Sequence, residues 1–280
     1  HDDVGPALAR IGFVGPDKQW VEDAFVKVTM FNGVSREEFM QIVDYYDDKQ
    51  RVAFQEKFIS CDADGSGQMD VEEFAEFLRS IGIEPMKHVL EECIEEVDED
   101  KSGQLDFDEF YKVMTLLAQR EGFSRSECQG FEVVFQKFDS YGHDEIDVKE
   151  LQQVLLYVGI PTTTSECQDV AEIVDLDDSG YIDFQEFLMC MRLFRDRELT
   201  ELKRHVQDLG DDSDTVGSTA LVQLLRDSGY VAEQEVVNEV VAEVGLDQGQ
   251  RMGLGEIWKF LVVFRQREGL AYSEIERVRQ

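Results

Sequence analysis

Asp62–Glu73 reads DADGSGQMDVEE, Asp98–Glu109 reads DEDKSGQLDFDE, and Asp175–Glu186 reads DLDDSGYIDFQE. Each twelve-residue stretch places an oxygen-bearing side chain at positions 1, 3, 5 and 9, glycine at 6, an apolar residue at 8 and glutamate at 12. In the first, Asp62, Asp64, Ser66 and Asp70 offer side-chain oxygens, Gln68 its backbone carbonyl, and Glu73 both carboxylate oxygens. The matching donors are Asp98, Asp100, Ser102, Gln104, Asp106 and Glu109 in the second, and Asp175, Asp177, Ser179, Tyr181, Asp183 and Glu186 in the third. Such a set gives about seven hard oxygens, which suits Ca²⁺ and is a poor match to the strict octahedron of Mg²⁺. Gly67 stands at position 6 because the chain must turn there through angles that side chains penalise. Three complete copies, each running into a helical pattern at Phe74, Phe110 or Phe187, predict three Ca²⁺ sites.

This ligand order is that of the EF-hand, a helix–loop–helix that folds around the ion. The repeat extends beyond the three loops. Apolar-periodic segments ending at glycine recur as FAEFLRSIGI (Phe74–Ile83), LQQVLLYVGI (Leu151–Ile160) and LVQLLRDSGY (Leu221–Tyr230). The glycine reads as a helix stop. The same spacing exposes four decayed loops. Asp139–Glu150 keeps Asp139, Asp147 and Glu150 but has Tyr141, His143 and Asp144 at positions 3, 5 and 6. Leu209–Ala220 lacks both end ligands, Gly245–Glu256 has glycine at 1 and 9, and Lys27–Glu38 keeps only the last ligand. No tight calcium site is expected in these four.

Loop starts 62 and 98, 139 and 175, and 209 and 245 are each 36 residues apart. Paired loops share a short two-stranded ladder, so Met69 should face Leu105, Ile146 face Ile182, and Val216 face Met252. The expected fold is therefore all-α: tandem EF-hand pairs with short β-ladders between paired loops. The predicted segments are a remnant pair at 1–47, a two-site pair at 48–122, a one-site pair at 123–197, a degenerate pair at 198–268, and the start of a further helix at 269–280. Ser35/Glu38, Ser124/Glu127 and Thr163/Glu166 are capping boxes at predicted helix starts. From Phe187 to Leu209 no glycine or proline intervenes, which predicts an unbroken helix. QREGFSRSE (Gln119–Glu127) returns as QREGLAYSE (Gln266–Glu274), giving a longer period of 147 residues. Val4–Phe13 matches Phe74–Ile83, placing Asp3 at a loop's final position. The window is thus expected to open inside a hand of a longer array, a natural N-terminal half-hand being the alternative.

A net charge of −34 argues against nucleic acid and anionic membrane as direct partners. It suits a basic partner segment, or serves solubility alone. An apolar content of 42% supports real cores, and no apolar run reaches the ~20 residues of a membrane span. Cys61, Cys93, Cys128, Cys167 and Cys190 lack any framework spacing and read as reduced thiols of an intracellular protein, cytoplasmic or cytoskeleton-associated. The four histidines are dispersed, with no HExxH and no phosphate-cradling glycine loop, so no catalysis is expected here.

The loops beginning at Asp62, Asp98 and Asp175, with their paired spacing, resemble the calmodulin and troponin C superfamily over nearly the whole chain. That resemblance implies a calcium-responsive regulatory or interaction subunit that contacts a protein partner, such as a basic amphipathic helix. Met114, Met189 and Met191 fall at groove positions of the family, though plain core packing explains them as well. The alternatives are an architectural array in a large assembly, with calcium as a static staple, and the regulatory region of a larger enzyme.

Overall fold

Helices here are written by apolar residues at helical spacing, and several are stopped by the same backbone device. The computed structural model describes residues 4–13, 16–29, 31, 33–62, 65–81, 83–84, 86–140, 142–160, 162–176, 178–208, 215–227, 230–246 and 251–267. Among them lie helices α1 (Val4–Arg10), α2 (Lys18–Val28), α3 (Arg36–Cys61), α4 (Val71–Ser80), α5 (Lys87–Val97), α6 (Phe107–Gln119) and α7 (Arg125–Phe138). After strand β1 (Glu145–Ile146) come α8 (Val148–Tyr157) and α9 (Thr164–Val174), then strand β2 (Ile182–Asp183). Helices α10 (Phe184–Asp208), α11 (Ser218–Asp227), α12 (Gln234–Glu243) and α13 (Leu254–Gln266) complete the described order. The fold is all-α with minimal ladders, as the sequence predicts.

Helices α1, α4, α8 and α11 end alike. Phe13, Ile83, Ile160 and Tyr230 each donate a backbone N–H to the carbonyl five residues back, on Leu8, Leu78, Leu155 and Leu225, at 2.8–3.1 Å. This six-to-one bond needs a left-handed residue before it, which Gly12 (φ +100°) and Gly159 (φ +82°) supply. The four leucines are buried. At the other ends the expected capping boxes form. The Glu38, Glu127 and Glu166 amides donate to Ser35, Ser124 and Thr163 hydroxyls at 3.2 Å, while those residues' own amides donate to the glutamates at 2.7–2.8 Å. Phe184–Asp208 is a single helix of 25 residues.

The predicted ladder partners also meet. Met69 and Leu105 exchange backbone hydrogen bonds at 2.8 Å in both directions, and Val216 and Met252 do so at 2.9 and 2.8 Å. Ile146 opposes Ile182 where β1 and β2 run antiparallel.

The chain forms two compact units, one of His1–Val148 with Gln168–Cys190, the other of Lys149–Cys167 with Met191–Gln280. In the first, Val4, Leu8, Val21, Ala24, Phe25, Ile42 and Tyr46 make one buried cluster. A second is built of phenylalanines around Phe110, whose ring lies 5.0 Å from Phe77, 5.3 Å from Phe58 and 5.7 Å from Phe74, all edge-on. In the second unit Leu221, Leu225, Val237, Val240, Ile257 and Phe260 are fully buried. All five cysteines are free thiols; Cys93, Cys167 and Cys190 are buried. No described helix is long and apolar enough to cross a membrane.

Phe110→Ala empties the centre of the aromatic cluster. It should destabilise the first unit by about 3–5 kcal/mol, read from urea unfolding of a Trp258→Phe background in which Trp20 is the sole tryptophan reporter.

Candidate metal centres

The first aspartate organises each loop. Asp62, Asp98 and Asp139 are the C-caps of α3, α5 and α7, so their carboxylates face the turn that follows. One oxygen of Asp62, Asp98 and Asp175 accepts the amide of position 5 (Ser66, Ser102, Ser179) at 3.0–3.1 Å. The other accepts the amide of position 6 (Gly67, Gly103, Gly180) at 2.8–2.9 Å. These bonds require two left-handed residues, at positions 4 and 6. Gly65, Lys101 and Asp178 hold φ between +53° and +69° at position 4, and the three position-6 glycines hold +73° to +78°.

The serine at position 5 then brings two predicted donors together. Its hydroxyl lies 2.9 Å from the Gln68 carbonyl, 2.9 Å from the Gln104 carbonyl and 3.2 Å from the Tyr181 carbonyl. At the far end, positions 9 and 12 bond reciprocally. The Glu73, Glu109 and Glu186 amides donate to Asp70, Asp106 and Asp183 at 2.8 Å, and the aspartates' amides donate back at 3.0–3.1 Å. Asp70 and Asp106 are thereby the N-caps of α4 and α6. This double use was missed in reading the sequence, although each loop displays the D-x-x-E signal openly. Glu109 and Glu186 are buried, and their remaining oxygens accept the position-2 amides of Glu99 and Leu176 at 3.1 and 3.0 Å.

The geometry fits a large cation. One oxygen each of Asp98, Asp100 and Glu109 lie within 4.8 Å of one another. Donors 2.3–2.6 Å from a common centre are at most ~5 Å apart, so these three can share one Ca²⁺. The Ser102 hydroxyl and amide beside Asp100 hold its carboxyl below the usual carboxylate range, keeping it anionic. Asp64 and Asp177, the position-3 donors of the other two loops, lie outside the described residues.

Loop Asp139–Glu150 keeps the backbone without the ligand set. Asp139 accepts the amides of Gly142, His143 and Asp144 at 2.8, 3.3 and 2.9 Å. Gly142 has φ +67° at position 4 and Asp144 φ +61° at position 6, so glycine and a side chain have exchanged roles. Tyr141 lies outside the described residues, as do 209–214 and 247–250 of the last two loops. In those loops Val216 and Met252 keep their ladder, and the Gly253 amide still donates to Glu256 at 2.8 Å.

Residues 51–115 and 130–192 match the family model for an EF-hand domain pair. Fimbrin from Dictyostelium discoideum is 41% identical over 73 residues, which cover 26% of this chain and 12% of that protein. An uncharacterized calcium-binding protein from Caenorhabditis elegans is 34% identical over 70 residues, covering 25% of this chain and 31% of that one. The chain thus spans less than a third of either relative. A solved structure of a homolog of programmed cell death 6 protein from Leishmania major Friedlin is 23% identical, covering 56% of this chain and 83% of that chain, with a TM-score of 0.26.

A Cβ added at Gly67 would meet no atom within 4 Å, so the penalty of a side chain there is conformational alone. Gly67→Ala should cost about 1–2 kcal/mol in urea unfolding of the first unit and weaken calcium uptake at that loop in calorimetric titration.

Proposed function

We infer that this chain, which belongs to the EF-hand superfamily, is a calcium-responsive regulatory or interaction subunit acting through protein contacts. It binds calcium at three loops, Asp62–Glu73, Asp98–Glu109 and Asp175–Glu186. The observation that carries this reading is the shared geometry of those loops. Each turns its first aspartate onto the amides of positions 5 and 6 and sets its final glutamate at the mouth of a helix. Loops 27–38, 139–150, 209–220 and 245–256 are assigned no tight site. Loop spacing supports the division into segments 1–47, 48–122, 123–197, 198–268 and 269–280. The charge of −34 favours a basic amphipathic partner segment over nucleic acid or membrane, and five free thiols favour an intracellular setting. No catalytic step is assigned to these residues.

A second reading, a mainly architectural array with calcium as a staple, draws on loop Asp139–Glu150. Its folded turn and ladder persist beside an altered ligand set. Sites still filled at nanomolar free calcium would favour that role.

Calorimetry should count about three Ca²⁺ per chain, with dissociation constants of roughly 10⁻⁷ to 10⁻⁵ M. Glu73→Gln, which removes two-oxygen closure, should lower the count by one. A wild-type count of two or four would refute the assignment.

A further inference from the structure

Arg120 follows the last residue of α6, and its guanidinium reaches back across the hand to α5. One terminal nitrogen, Nη2, donates to both carboxylate oxygens of Glu96 at 3.1 and 2.9 Å; the other, Nη1, donates to Glu92 at 3.4 Å. The Arg120 side chain is 15% exposed and those of Glu92 and Glu96 36% and 28%, so this ion pair is partly shielded from the solvent that weakens surface pairs. Arg125 adds a second grip, its amide on Glu92 and its guanidinium on Glu96, both at 2.6 Å. The outer end of the exit helix and the start of α7 are both tied to the entering helix.

The construction recurs one long period later. Arg267 caps α13 and pairs with Glu239 at 3.0 Å and with Glu243, both on α12. Each of the three stands 147 residues after its counterpart. The loop of that hand has glycine at positions 1 and 9, Gly245 and Gly253. An ion pair kept where those ligands are gone is not a by-product of coordinating an ion. In the Asp62–Glu73 hand the counterpart of Arg120, 36 residues earlier, is Glu84, and those of Glu92 and Glu96 are Glu56 and Ser60. That hand lacks the charge pattern.

The leverage decides what the pair does. Helix α6 has 13 residues and is ~20 Å long. A sensor-type change of ~40° between the helices of a hand would carry its outer end about 13 Å. No hydrogen-bonded pair survives such a displacement. We propose that Arg120 latches the two helices of the Asp98–Glu109 hand in the arrangement seen here, so that calcium there is a fixed staple. The proposal rests on the reading of that loop as a calcium site.

The test measures the distance between nitroxides on ketone-bearing residues at Glu91 of α5 and Gln119 of α6, which spares the native cysteines, with calorimetry alongside. In the otherwise wild-type chain, calcium should change the distance by less than ~2 Å; in Arg120→Met it should lengthen it by on the order of 10 Å. Calcium should also bind that site about tenfold more tightly in the variant. Glu96→Gln, which keeps the shape of the side chain, carries the same expectation if Arg120→Met does not fold. Equal distances in the two chains with calcium bound overturn the latch alone. Absence of calcium uptake by either chain overturns both the latch and the site assignment beneath it.

Discussion

The acidic pair at loop positions 9 and 12 serves a helix and an ion with the same atoms. Asp70 with Glu73, Asp106 with Glu109, and Asp183 with Glu186 satisfy amide groups that the first turn of an exit helix leaves unpaired. Their negative charge also lies at the positive end of the helix dipole. The helix start is therefore fixed by the same carboxylates that would close on calcium, and the coordinating end of the loop is set by helix capping. Ser35 with Glu38 occupies the same two positions of loop 27–38 and makes the same reciprocal bonds, although that loop begins with Lys27. A closing glutamate is thus worth keeping for the helix alone, which accounts for Glu38 and Glu256 in loops that lack an acid at position 1.

The acidity has a structural counterweight in a few arginines. Arg120 and Arg267 are largely buried and each holds two glutamates one helical turn apart. Arg120 beside Glu96 keeps that carboxyl below its usual range, and Arg125 acts in the same direction. Arg265 is likewise buried, against Glu198 and the Tyr230 hydroxyl. In this strongly negative chain Arg120 and Arg267 sit where two anions converge.

Much of this was legible in the residues. The ladder partners, capping boxes and glycine stops follow from spacing alone, because each is a local backbone requirement with few permitted side chains. Met69 meeting Leu105 across 36 residues was readable since both occupy position 8 of paired loops. The arginine pairs were not legible. Glu92, Glu96 and Arg120 look like ordinary solvated charges on helix faces, and only the return of the chain after Gln119 brings them together. The exchange of roles between Gly142 and Asp144 was also hidden, because aspartate tolerates left-handed angles better than most side chains and betrays nothing by its identity. The grouping of segments into two compact units depends on packing between helices distant in sequence.

The ladder between Ile146 and Ile182 joins a loop with a full ligand set to one without. Its unequipped member is already folded, its turn locked by Asp139 onto three amides. The Asp175–Glu186 loop is thereby braced by a neighbour that lacks the full ligand set. Where Met69 faces Leu105, both strands belong to loops with a full ligand set. Loss of ligands on one side of a ladder thus leaves the other loop on a ready-made template.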